Sequence, residues 1–84
     1  MTYEILDPGE FLVEGMFRQD QFLEKADAFT WDRYRDKKVL VRGCTSTVIP
    51  PWAYMLITAR LANVARSVRF GNEHDNIVVL RSRP

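Results

Sequence analysis

A chain of 84 residues suffices for one domain but not for two with separate cores, because small chains bury proportionally little surface. An apolar content of 46% with 27% charged residues excludes a disordered or collagen-like chain, and the lone Cys44 and lone His74 exclude an internal disulfide and a Cys/His structural metal site. The net charge of +1 conceals an asymmetry: residues 1–36 hold nine acids and four bases, residues 37–84 two acids and eight bases, so the two halves are expected to pack together and neutralise each other.

Residues 1–84 are read as a single α/β domain. Tyr3–Leu6 is expected as an edge strand, closed by the turn signal Asp7-Pro8-Gly9. From Glu10 to Phe17, Phe11, Val13, Gly15 and Phe17 alternate with Leu12, Glu14 and Met16, which predicts a strand carrying a bulge or close packing at Gly15. Asp20 then suits a helix N-cap, with Phe22, Leu23, Ala26 and Phe29 at helical spacing. Thr30 opens a short turn that returns Trp31 and Tyr34 to the core. Val39–Cys44 is the next strand; its Val39-Leu40-Val41 run predicts a central strand with helices on both faces.

Residues 44–51 form a loop in which Pro51 fits the first position of a helix. Eleven of the fourteen residues from Trp52 to Ala65 are apolar, which predicts a helix covered on most sides. The stretch falls short of the ~20 residues that span a bilayer, so no membrane contact is expected. The acidic first ten residues lack the pattern of a secretory signal, which points to a cytoplasmic protein. Val68–Phe70 reads as a strand closed by Gly71-Asn72, and Ile77–Leu80 as a last strand returning antiparallel beside it or at an edge. The expected fold is a small mixed, mainly parallel sheet with two crossover helices in the order β-α-β-α-β-β.

Phe11-Leu12-x-x-Gly15, Trp31-x-x-Tyr34, Ile49-Pro50-x-Trp52-Ala53-Tyr54-Met55-Leu56 and Val68-x-Phe70-Gly71 together resemble the bacterial domain-of-unknown-function family 2480. The resemblance covers about residues 10–72. It implies a shared core without an assigned activity, in a shortened chain whose Asn76–Pro84 end has its own arrangement. Where the family pattern carries an Asp before the Ile-Pro pair, this chain has Ser46 or Thr47, so an acidic role there is absent.

The candidate ligand loop is Cys44-Thr45-Ser46-Thr47, since the space beyond a strand's carboxyl end receives ligands in open α/β sheets and helix amino ends favour anions. Pro50-Pro51 removes two amide donors, and hydroxyl capping is the plainer reading. A Cys44 thiolate could act as a nucleophile, but no second Cys or nearby His supports it, and a buried structural thiol is the plainer account. Glu73-His74-Asp75 reads as a solvated turn rather than a metal or proton-transfer site. Arg60, Arg66, Arg69, Arg81 and Arg83 would bind nucleic acid only if they shared a face, and nucleic-acid binding is not expected.

Core burial is the plainer account of Trp52, Tyr54, Met55, Leu56 and Ile57, but with Arg60 beside them they offer more apolar surface than a small sheet readily covers, and the alternative is a homodimer or protein partner. With no cofactor motif and no convergent acid, base and nucleophile, the sequence favours a non-catalytic binding or regulatory module. Its rivals are a small anion-binding protein or thiol enzyme using Cys44 and Thr45–Thr47, and a nucleic-acid binder. The layout is also similar to the regulatory domains of anti-anti-sigma factors, where a Ser/Thr loop before a helix is phosphorylated; this implies Ser46, Thr45 or Thr47 as the acceptor.

Overall fold

Val39, Val41 and Val68 point to one side of a four-stranded sheet, and both α-helices pack on that side. The computed structural model describes residues 3–43 and 48–81. Its strands are β1 (Glu4–Leu6), β2 (Lys38–Arg42), β3 (Ser67–Gly71) and β4 (Asn76–Arg81), and its helices are α1 (Gln19–Ala28) and α2 (Pro51–Ala62). The sheet order is β1-β2-β3-β4, with the first two pairings parallel and the third antiparallel. The chain is therefore an α/β protein with a mixed sheet.

The register explains the layering. Leu6 pairs with Val41, and Val39 with Val68, so these side chains share one face with the buried Phe22 and Ala26 of α1 and the buried Ala53, Ile57 and Leu61 of α2. Two right-handed crossovers that step in the same direction along a sheet place their helices on the same face. Leu40 points the other way, between Ile5 and Arg69 in register. It is fully buried with no described helix above it, so the expectation of helices on both faces of β2 is corrected.

Three other expectations fail for local reasons. Glu10–Phe17 is not a strand: the Asp7 side chain accepts from the Gly9 amide and starts a 3-10 turn at Pro8–Phe11, which buries Phe11. After it, Glu14 and Gly15, at φ 52° and 73°, make a tight reversal in which Val13 and Met16 bond each other's backbones. Gly15 thus supplies positive φ rather than close packing. Asp20 is not the N-cap of α1; Arg18 holds that position, and Asp20 lies inside the first turn, where a carboxylate favours the positive pole of the helix. Finally, α2 is not covered on most sides, since Ala53, Ile57 and Leu61 are buried while Met55 is 71% exposed and Ala59 and Ala62 face outward.

Other features follow the sequence closely. Pro51 opens α2, and a second 3-10 turn at Trp31–Tyr34 buries Tyr34. β4 returns antiparallel to β3. Aromatic rings join the two helices: Trp52 meets Phe22 edge-on at 5.4 Å and Phe17 at 5.6 Å. Asp7–Arg42 and Asp27–Arg60 pair acids of the first half with bases of the second. Among the described residues, no helix is long and apolar enough to cross a membrane.

Candidate functional site

The outer side of α2 and the β4 edge leave an apolar groove of about 700 Å³ between them. Its helix wall is built from Tyr54, Met55, Thr58, Ala59 and Ala62, and its sheet wall from Phe70, Val79 and Leu80. Two features of the sequence open it. Small residues at positions 59 and 62, one turn apart, keep the helix surface low. A register irregularity opposite Val68 and Arg69 puts an extra residue into β4, and both Val79 and Leu80 then line the groove.

The polar atoms along this groove are turned onto the protein's own backbone. Thr58 Oγ1 donates to the Tyr54 carbonyl at 2.9 Å, and the Tyr54 hydroxyl makes a long 3.5 Å bond to the Gly43 carbonyl. Phe70 packs edge-on against Tyr54 at 5.2 Å. No charged side chain is among the described residues that line it, so the groove can recognise an apolar surface and offers little to an ion.

The residues singled out in the sequence fall in different places. Cys44, Thr45, Ser46 and Thr47 lie outside the described residues. On either side of them, Gly43 donates to the Gly71 carbonyl at 2.9 Å, and Val48 is exposed. Tyr54 reaches the groove, whereas Trp52 turns into the aromatic cluster with Phe17 and Phe22, and Arg60 is held by Asp27 at 2.7 Å. The Glu73-His74-Asp75 turn does not converge: Glu73 binds Arg42 at 2.7 Å, while the amides of His74 and Asp75 both donate to Asn72 Oδ1. The arginines separate as well. Arg66, Arg69 and Arg81 meet on the open face of the sheet, Arg60 lies by α1, and Arg83 is outside the described residues.

Met55 was already in the apolar run singled out in the sequence, whereas Phe70, Val79 and Leu80 emerge as groove residues only from the fold. The apolar run Ile77-Val78-Val79-Leu80 in a strand with few possible neighbours was the signal that could have found the sheet wall.

Comparison with known families adds one result: a family model described as "Protein of unknown function (DUF2480)" matches residues 2–82. The chain belongs to the DUF2480 family. The match takes in β1 and β4, beyond the residues 10–72 on which the resemblance was read. No curated protein and no solved structure matches the chain. In this DUF2480 member the Ile-Pro-x-Trp-Ala-Tyr-Met-Leu run begins α2 and divides its side chains among three surroundings. Ile49 and Ala53 enter the core, Trp52 joins the aromatic cluster, and Tyr54 and Met55 line the groove.

Proposed function

We propose that this DUF2480 domain is a non-catalytic protein-interaction module that associates with a second copy of itself through the α2–β4 groove and the β4 edge. The observation that carries this reading is an apolar surface on one side of the molecule, where Met55 is 71% exposed, Ile77 65% and Val79 49%. Scattered single apolar residues are ordinary on a surface, but a continuous patch that includes an edge strand invites a partner.

The sequence of β4 supports a twin as the partner. Two β4 strands laid antiparallel with Ile77 opposite Leu80 bring residues of the same sheet face together, since Ile77 pairs with Phe70 and Leu80 with Val68 within the sheet. Arg81 then falls opposite Asn76, so no like charges meet across the join.

Light scattering across a concentration series tests this directly. The expected result is a dimer that Met55→Glu and Val79→Lys each convert to a folded monomer, with far-UV circular dichroism unchanged. A protein that stays monomeric at all concentrations, or a dimer indifferent to both substitutions, overturns the proposal.

A further inference from the structure

We propose that the open face of the sheet, opposite the helices, carries a binding site for a small polyphosphate anion of the pyrophosphate type, free or as part of a nucleotide. This site lies on different residues from the α2–β4 groove and does not rest on that reading. A cavity of about 290 Å³ there is lined by Lys38, Arg66, Arg69 and Arg81, with Ser67 and Tyr3 beside them. Among its described lining residues there are four cations and no carboxylate.

The sheet register makes this a built arrangement. Lys38 pairs with Ser67, and Ser67 with Arg81, so a lysine, a hydroxyl and an arginine stand in one row across three neighbouring strands. Arg69 projects from the same face two residues farther along β3. Its guanidinium is oriented from two sides: one amino group donates to Asn76 Oδ1 at 2.9 Å, and the Tyr3 ring lies 5.4 Å away. Asn76 is in turn fixed by donating to the Asn72 carbonyl at 2.8 Å. A guanidinium held in place before binding loses less freedom when an anion arrives.

Size and chemistry select the ligand class. The cavity lies at the lower end of the roughly 300–1,000 Å³ range of small-molecule sites, which suits a compact anion. Three adjacent strands span about 10 Å, wider than one tetrahedral anion and matched to linked phosphates. Several clustered cations, with the oriented guanidinium of Arg69 among them, favour multiply charged phosphate oxygens over a single carboxylate. A single-stranded nucleic acid fits less well, because Tyr3 is the one aromatic ring among the described lining residues and Arg69 already lies over one of its faces.

Isothermal titration with pyrophosphate, ADP and a short oligouridylate, each at matched ionic strength, tests the site. Saturable binding of pyrophosphate is expected, and equal or tighter binding of ADP would mark a nucleotide as the source of the phosphates. Arg69→Gln and Arg81→Gln should each weaken binding about tenfold, the effect of losing one charge-assisted hydrogen bond. Arg60→Gln, an equal charge change outside the cavity, should leave binding unaltered. If Arg69→Gln does not fold, Lys38→Met and Arg81→Gln read the same site. The proposal is overturned if pyrophosphate does not bind, if Arg60→Gln weakens binding as much as the cavity substitutions, or if only the oligouridylate binds with steep salt dependence.

Discussion

Gly71 and Asp75 approach so closely at the β3–β4 turn that a Cβ on Gly71 would stand 2.3 Å from the Asp75 carbonyl oxygen. Gly71 also has φ +140°, a conformation that side-chain-bearing residues rarely adopt. The contact is with backbone, which cannot swing aside, and Asp75 O already accepts from the Asn72 amide at 3.0 Å. Gly71→Ala should therefore cost about 2 kcal/mol or more through strain and a distorted turn. Chemical denaturation of the two proteins checks this, and an alanine variant of undiminished stability would show that the turn has another accessible geometry.

Trp31 secures the end of α1. Its Nε1 donates to the Ala26 carbonyl at 2.8 Å, one of the last-turn acceptors that lack an intrahelical partner. The ring also stacks on Phe11 at 5.9 Å and meets Phe29 edge-on at 4.6 Å. Trp31→Phe keeps an aromatic ring but removes the donor, and should destabilise by about 1–2 kcal/mol. Amide exchange should quicken near Ala26 to Phe29 more than in α2. Uniform quickening throughout the molecule would argue that packing, not the hydrogen bond, is what Trp31 contributes.

The parts of the fold legible in the sequence are those set by local chemistry. Pro51 starts a helix because its missing amide hydrogen is not needed there, and Gly71-Asn72 ends a strand because few other pairs turn so tightly. What was not legible depended on which face each element presents. Val39-Leu40-Val41 reads as a strand buried on both faces, and it is; yet Leu40 is sheltered without a described helix, between Ile5 and Arg69, whose guanidinium lies near the Tyr3 ring. Alternation at residues 10–17 mimicked a strand because Phe11 and Phe17 both pack inward, through a 3-10 turn and a tight reversal, with Leu12 beside them rather than on an opposite face. The row Lys38-Ser67-Arg81 joins three distant segments, and no spacing in the chain announces it.

The ion pair between Arg60 and Asp27 links α2 to α1 across a largely solvated gap, with the Asp27 side chain 71% exposed. Water and salt screen such a pair, and ordering two long side chains offsets part of the attraction. Arg60→Ala should accordingly change stability by less than about 1 kcal/mol. A thermal melt showing a much larger loss would mean that the arginine stem contributes packing which its exposure conceals.

Tyr34 gives the fold a specific sensitivity to alkali. Burial raises its phenol above the ordinary value of 10.0; Arg33 opposes that shift, and Glu10 and Glu4 reinforce it. The folded state therefore holds this proton to higher pH than the unfolded chain, and stability falls wherever the folded state binds more protons. The Tyr34 contribution is fully present below pH 10 and is lost as pH rises from there through the raised folded-state value. Tyr34→Phe keeps the ring in place and removes the titrating group. Its melting temperature should decline less than that of the native chain as pH rises above about 10, while the two curves run parallel at lower pH. The two proteins differ only at this hydroxyl, so the difference between the curves isolates Tyr34, and curves that stay parallel at alkaline pH would refute its role.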